Sequence, residues 1–543
     1  MPAEPADLHP RRWRALPVLL IGSFLSFLDV FIVNIALPAM RDDLSASSAQ
    51  LQLVVAGYGV GFAVSLITGG RLGDIYGRKR VFLWGLSSFT LASVLCGLAV
   101  NAEMLVIMRV PQAVAAAMLT PQVLAIIRVE FAAHERAVAV GLYGTSMGFA
   151  SIVAQLVGGS LVTLDLFGLS WRLIFLVNVP IGLLAVFLAT RMVRESRSRG
   201  PVTLDLPGAG LVSLALLLLI YPLVEGREAG WPDWAFAMMG AAIAAFFAFI
   251  AYERWVVRRG HTPLIALHLF RVPTIAFGLL TSVIFFSGLA AFFVVLTVTF
   301  QAGFGYSAFS TGLLFMPFAI GFSAASALSG RVAPLIRSRT ISVGALLMGL
   351  ALLGFVTMIT LTRGQFLIDA HDRPLLVGLF LVYGLGQGLA QPAFIHLVTS
   401  GVGVTEADAG AAAGLFLTTA QSSLALGVAA IGDVFFSWLG PAPLPLDYVR
   451  ALSAALICNL GLQILTFLLV LLLPWVSRWQ ERIADPANDG IQGAVASAGH
   501  SCVIVHDGLY ARGTGVWLVS QQPARQADCD SGDTAIRLAP RVG

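Results

Sequence analysis

The sequence predicts an all-α membrane protein of fourteen transmembrane helices, arranged as two six-helix bundles with two further helices inserted between them. Three observations carry that prediction. Fourteen long apolar runs lie between residues 16 and 474, basic residues crowd into alternate loops, and a Gly-Arg-led basic segment occurs twice, 260 residues apart.

The apolar runs come first because they exclude the most. The 543-residue chain is 58% hydrophobic and 11% charged, with a mean hydropathy of +0.87. A soluble domain carries roughly 25% charged residues, so an ordinary globular protein is excluded. The runs span 16–38, 50–69, 81–99, 104–127, 138–162, 173–190, 205–225, 234–253, 274–299, 308–330, 341–361, 374–398, 409–436 and 451–474. Each is close to the roughly 20 residues an α-helix needs to cross the hydrocarbon. Helices bond their own backbone polar groups, which makes them the default spanning element. Arg11, Arg12 and Arg14 ahead of the first run imitate a secretion signal. An A-x-A cleavage pattern is missing and a second run follows directly, so this stretch reads as an uncleaved first span.

The loops supply orientation. With the N-terminus inside, the inward segments carry 20 Lys and Arg residues and the outward loops carry 6. That asymmetry places both termini in the cytoplasm of a multi-pass protein of the bacterial cell membrane. The loop at 399–406 has no basic residue, so charge does not orient the twelfth and thirteenth helices. The basic pI of about 9.0 is a topological signal, and no nucleic-acid partner is expected.

The third observation is the repeat. Gly70-Arg-Leu-Gly-Asp-Ile-Tyr-Gly-Arg-Lys-Arg80 follows the second run, and Gly330-Arg-Val-Ala-Pro-Leu-Ile-Arg-Ser-Arg-Thr340 follows the tenth. Both read as basic turns on the cytoplasmic side. They divide the chain into an N-terminal half at 1–192, an inserted pair with its linkers at 193–273, and a C-terminal half at 274–474. Parallel halves of this kind mark one class of secondary transporter. Residues 475–543 turn polar and read as a cytoplasmic, mostly disordered tail, with some apolar alternation over Cys502–Ser520.

Several chemistries lack their residues. Thirty-two of the 33 basic residues are Arg, a bias that with abundant Ala and Gly suits a high-GC bacterial genome. The single Lys79 follows Arg78, whereas a P-loop places Gly before its Lys. The four cysteines form no metal-ligand or disulfide pattern. No cofactor, metal site or enzymatic activity is expected.

Within the runs a few polar residues stand out. Asp29 lies near the middle of the first, and a carboxylate at bilayer depth is costly and usually functional. Arg109, on the fourth helix of the same half, is its obvious partner. A pair that forms and breaks with protonation would couple proton movement to a change of shape. The amides Asn34, Gln112, Gln155, Gln387, Gln391 and Gln421 are candidates to line a substrate cavity, with Phe285, Phe286, Phe292 and Phe293 as apolar and cation–π surface. Asp433, near the outer end of the thirteenth helix, reads either as a solvated interfacial acid or as a second titratable site. Glu225, Asp233 and Glu253 sit at helix ends and read as interface residues; His396 reads as a snorkelling side chain.

The segment Gly70–Arg80 fits G-x-L-x-D-x-x-G-R-K/R-x throughout and resembles the loop signature of the major facilitator superfamily. Leu28-Asp-Val-Phe-Ile-Val-Asn-Ile-Ala-Leu-Pro38, Trp171-Arg-Leu-Ile-Phe-Leu-Val-Asn-Val-Pro-Ile-Gly182 and Leu223-Val-Glu-Gly226 resemble motifs of its fourteen-span drug:proton antiporters. Arg109-Val-Pro-Gln112 with Pro121 is similar to the fourth-helix motif R-x-x-Q-G-x-x-x-A, with Ala113 in place of the glycine. The resemblance covers residues 16–474. It implies a conformational latch at Gly70, Asp74, Gly77 and Arg78, answered in the second copy by Arg331. Pro334 stands there where the first copy has Asp74, so a carboxylate latch is one-sided. One motif departs: the fifth helix reads Ala154-Gln-Leu-Val-Gly-Gly159 where the antiporters have G-P-x-x-G-G. The kink that proline brings is then absent, while the glycine pair still permits close packing.

The resemblance implies a proton-coupled secondary active exporter of hydrophobic or cationic small molecules, working by alternating access as a monomer in the lipid bilayer. Two alternatives remain open: a dedicated exporter of one endogenous metabolite or lipid, and a non-transporting receptor or scaffold. The scaffold has no use for a carboxylate at bilayer depth, which costs a few kcal/mol on insertion.

Overall fold

In the computed structural model the described residues are 12–197, 204–261, 263–265, 267–336, 339–367, 369, 372–399, 409–439, 443–484, 502–505, 508–513 and 516–520. Among them are fourteen helices long and apolar enough to cross a membrane. The first half holds α1 (Arg12–Leu44), α2 (Ser48–Tyr76), α3 (Arg78–Gly97), α4 (Ala102–Glu130), α5 (Ala133–Leu164) and α6 (Ser170–Met192). The inserted pair is α7 (Leu206–Glu228) and α8 (Asp233–Arg258). The second half holds α9 (Pro273–Val298), α10 (Ala308–Ile336), α11 (Arg339–Thr362), α12 (Arg373–Thr399), α13 (Ala409–Leu439) and α14 (Pro445–Ala484). Several helices outrun the predicted runs because hydropathy marks where a helix crosses hydrocarbon, not where its hydrogen bonds stop. α1, for example, continues through Arg41 and Asp43 to Leu44, and α2 starts on a Ser47–Gln50 capping box.

The basic turns are tighter than the sequence suggests. α2 runs through Gly70 to Tyr76, and one residue, Gly77, separates it from α3. Gly77 has φ +105°, a backbone conformation that suits glycine. Gly70 is therefore a helical residue rather than a turn residue. In the second copy α10 continues through Arg331 to Ile336 and α11 resumes at Arg339.

Two hydrophobic cores follow the two halves. One is built almost wholly from residues between Ala15 and Val193, the other from residues between Leu269 and Val470. In the second, aromatic rings interlock: Phe292 stacks on Tyr383 at 4.1 Å, and Phe293 meets Phe315 at 5.2 Å and Phe318 at 4.8 Å. Small residues bring the backbones together. A Cβ on Gly384 would lie 2.1 Å from the Phe318 carbonyl, and one on Gly427 only 1.7 Å from that of Ser287.

The halves meet along α5–α10 and α2–α13. A Cβ on Gly159 would stand 2.7 Å from the Ala308 carbonyl of α10, and one on Gly158 2.5 Å from Ile32 of α1. The glycine pair thus seats α5 against both halves at once, and α5 runs from Ala133 to Leu164 with no proline inside it. On the other seam Gly59 faces Ala425. Here a third, small core joins Ile220 and Val224 of α7 to Ala49 and Ala56 of α2 and to Ala425 and Ala429 of α13. α8 packs beyond α7 and leaves Phe236, Ile243, Phe246 and Phe247 exposed, a face suited to lipid.

The chain divides after Pro474 into a second compact unit. By itself that unit contains a three-stranded antiparallel sheet of β1 (Cys502–Val505), β2 (Gly508–Gly513) and β3 (Val516–Ser520), with Val503 opposite Tyr510 and Tyr510 opposite Val519. The apolar alternation over this stretch takes the form of strands, which the expectation of a mostly disordered tail did not include.

Candidate functional site

The site begins with Asp29. It lies on the buried face of α1, and both it and Arg109 of α4 are essentially inaccessible. Arg109 Nη1 donates to the Asp29 carboxylate and, at 2.8 Å, to Gln112 Oε1. Its Nε donates to the Val54 carbonyl at 3.1 Å. Gln112 Nε2 donates to Asp29 Oδ1 and to Ser93 Oγ, each at 2.9 Å. The guanidinium also lies over the Tyr58 ring, 4.1 Å from its centroid. Arg109 and Gln112 sit three residues apart on one helix, so both reach the same carboxylate. The partnership expected from the sequence therefore forms. Ser93 and Tyr58 complete it, and no motif marks either of them.

Beside Arg109, between the halves, is a small void of about 30 Å³. Asn34 and Tyr58 line it from the first half and Gln421 from the second. The six candidate amides thus separate. Asn34 and Gln421 face the void. Gln112 is a buried partner of the ion pair, not a lining residue. Gln155 is buried on α5 and Gln387 on α12, and Gln387 donates to Gln391 at 3.3 Å. The four phenylalanines of α9 are also displaced from the expected role. All are buried in the aromatic core of the second half, where Phe285 and Phe286 pack on Phe394. Spacing cannot separate a ring that packs against protein from one that faces a cavity.

At the end of the bundle that carries Gly77, here the basic end, Arg78 of α3 pairs with Asp74 of α2 at 2.9 Å across that turn. The close approach the signature requires is made by Gly69 and Gly73. A Cβ at Gly69 would lie 2.6 Å from the Ala117 carbonyl, and one at Gly73 would collide with Gln122. Glu195, beyond α6, caps the loop: its carboxylate accepts from the Lys79 amide at 3.1 Å and the Arg80 amide at 3.2 Å. An anion at a helix N-terminus is stabilised by the free amides there. Glu195 was not legible, because a lone acid in a basic linker looks like a solvated residue. The side chain of Arg331 lies outside the described residues.

The inserted pair is tied down at both ends. At the basic end Arg71 donates to the Pro263 carbonyl. Asp205 accepts from the Gly208 amide at 2.9 Å and the Leu264 amide at 3.1 Å, and Glu253 accepts from the Ile265 amide at 3.2 Å. Burial opposes the charge on Asp205, but bonds from the Gly208 amide, Glu253 and Tyr252 outweigh it and hold its pKa below the usual carboxylate value. Glu253, expected at an interface, is fully buried. At the far end Arg227 pairs with Asp433 of α13 at 2.9 Å, and Glu228 accepts from the Ala49 amide of α2 at 2.9 Å. Asp433 is thus a partly buried partner rather than a free interfacial acid. His396 is exposed, as a snorkelling residue would be.

A larger cavity of about 450 Å³ opens at the basic end between the halves. Apolar side chains such as Leu66, Leu124, Ile265 and Leu415 line it, together with Arg71, Asp74, Arg78 and Arg128. Among the described residues no group of three or more His, Cys, Asp and Glu could hold a metal ion.

The family model described as Major Facilitator Superfamily matches residues 19–428. The chain belongs to the major facilitator superfamily. It is 38% identical over 432 residues to a probable actinorhodin transporter of Streptomyces coelicolor, covering 80% of this chain and 74% of that one. A cephamycin export protein of Amycolatopsis lactamdurans is 34% identical, covering 83% and 91%. A puromycin resistance protein of Streptomyces alboniger is 35% identical, covering 78% and 82%. Among solved structures, an inward-facing bacterial homologue of the human lysosomal transporter Spinster aligns with a TM-score of 0.63 at 16% identity, over 87% of this chain and 98% of that one. A POT family transporter aligns at 0.62 and 12%, over 85% and 96%. These two show the superfamily fold. The protein is a multi-pass membrane transporter of this superfamily, with the two six-helix bundles and the inserted pair that its sequence predicts.

Proposed function

We propose that the protein is a proton-coupled exporter of amphipathic small molecules, working by alternating access with both termini in the cytoplasm. The observation that carries the reading is the buried Asp29–Arg109 pair beside a void shared by both halves. Protonating Asp29 removes the charge that holds Arg109. The guanidinium keeps the Val54 carbonyl and the Tyr58 face, and its Nη1, released from the carboxylate, can exchange Gln112 for Asn34 or Gln421 across the void. Contacts across the void then differ between the two protonation states, and a difference of that kind is what shifts a conformational equilibrium. Both halves lie in one chain, so a monomer contains the whole pathway.

The relatives support the outward direction, since one is named for export and another for drug resistance. They also favour a second reading. Two are each named for a single compound, actinorhodin or cephamycin, as a dedicated exporter would be. One experiment addresses both readings: uptake of a panel of fluorescent dyes and antibiotics into everted vesicles, with and without a proton gradient. Gradient-dependent accumulation of several unrelated compounds supports multidrug export, and of one compound dedicated export. No accumulation of any would overturn the exporter reading.

A further inference from the structure

We infer that the 450 Å³ cavity at the basic end is a binding site for amphipathic acids, and that Arg128 reads their charge. The inference rests on the export reading for its purpose, not for its geometry. The volume lies in the range of small-molecule pockets, about 300–1,000 Å³. The wall gives an apolar body a bed of Leu66, Leu124, Ile265 and Leu415.

Four ionisable side chains line the cavity, and their partners differ. Asp74 is neutralised by Arg78 at 2.9 Å. Arg71 donates to the Pro263 carbonyl and lies in the field of the Asp205 carboxylate. Arg128, in the last turn of α4, is exposed and has no partner among the described residues. Among the described residues the wall therefore offers a ligand one uncommitted cation and no uncommitted acid. A cationic ligand would meet like charge there. A carboxylate, sulfonate or phenolate can form a charge-assisted pair with the guanidinium while its rings rest on the leucines. An anionic lipid headgroup shares that chemistry.

The test compares two probes with the same ring body: anionic 1-anilinonaphthalene-8-sulfonate and neutral N-phenyl-1-naphthylamine. Equilibrium binding to the full-length protein is measured in phosphatidylcholine nanodiscs, with empty discs as reference. Arg128→Gln is expected to weaken the sulfonate about tenfold and to leave the neutral probe within about twofold, with Arg128→Lys retaining most of the affinity. Equal losses for both probes, or none for the sulfonate, would overturn the assignment. Adding phosphatidylglycerol separates the sources. Undiminished sulfonate binding identifies a soluble acid as the occupant, and Arg128-dependent displacement identifies a lipid headgroup. Binding is read without a gradient. The charge assignment can therefore fail while dye export stands, or hold while export fails.

Discussion

The Arg109–Asp29 and Arg227–Asp433 pairs join the same two chemical groups at different depths and across different seams. The first lies inside one half, with side chains 2% and 0% exposed, and shares its atoms with Gln112 and the Val54 carbonyl. The second joins the inserted α7 to α13, with side chains 21% and 23% exposed, while the adjacent Glu228 holds the start of α2. Depth sets what each can do. A fully buried pair is costly to form and more costly to break by losing one partner, so its charge state governs the packing around it. A pair within reach of water is screened and weak, and acts mainly by position. The outer pair spans elements that must part if the halves separate at the far end. The inner pair spans elements that can stay together while their charge changes.

The largest effect is expected at Asp29. Asp29→Asn should reduce gradient-driven dye uptake by everted vesicles to the level of vesicles without the protein. Asp29→Ala, which leaves Arg109 buried without a counter-charge, should cost about 3–5 kcal/mol in thermal unfolding. Replacing both residues, Asp29→Asn with Arg109→Gln, should recover much of the stability and none of the coupling. Uptake by Asp29→Asn equal to wild type would break the comparison at its deeper member.

Geometry takes the place of charge at Gly77, which sits between the two extremes. Its φ of +105° disfavours any side chain, and a Cβ would lie 2.5 Å from the Glu195 carboxylate that caps α3. Gly77→Ala should destabilise by about 1–3 kcal/mol. Glu195→Gln should cost less, about 1 kcal/mol, because the uncharged amide oxygen still accepts from one of the two α3 amides. If Glu195→Gln proved the worse of the two in a melting experiment, charge rather than backbone shape would dominate this turn.

The parts legible in the sequence and the parts not legible follow the same physics. Fourteen spans were legible because the bilayer imposes length and polarity on each. Asp29 and Arg109 were legible because charge at bilayer depth is rare. The repeat at Gly70 and Gly330 gave the two halves but not the turn, since a helix continues through Gly70 when its neighbour leaves room. Gln112, Phe292 and Phe293 were misassigned for another reason. Their burial depends on which helix packs against them, and one helix's sequence does not contain that. The third core of α2, α7 and α13 was equally hidden, because alanines at a seam look like alanines facing lipid.

Arg227→Gln and Asp433→Asn test the shallower pair. Each should change thermal stability by no more than about 1 kcal/mol and dye uptake only a few-fold. The two effects should not add in the double variant, because both remove one interaction. High salt should mimic them in wild type and leave the Asp29 phenotype untouched. A loss as deep as that of Asp29→Asn would mean that α7 carries part of the coupling and would erase the distinction by depth.

The smallest effect is expected where the carboxylate of an arginine–carboxylate contact lies outside the membrane-crossing segments and the contact fastens only a helix end. Glu135, ahead of the membrane-crossing part of α5, accepts from Arg12 at 2.8 and 2.9 Å, from Trp13 at 3.2 Å and from the Ala132 amide at 3.2 Å. The Arg12 bond does most to hold its pKa at about 2, against an ordinary value of 4.5; burial opposes the shift, and the Ala132 amide and Trp13 add to it. A depressed pKa means the contact contributes its full stabilisation above the ordinary value. The contribution is then lost as pH falls from about 4.5 through about 2. Amide-exchange protection over residues 12–16 should hold between pH 7 and pH 5 and decline across that lower window. Glu135→Gln should show the lower protection already at pH 7 while dye uptake stays within about twofold of wild type. A proton at Glu135 loosens one helix end, whereas a proton at Asp29 changes contacts between the halves. An uptake defect in Glu135→Gln matching that of Asp29→Asn would mean that depth does not decide which carboxylate couples to transport.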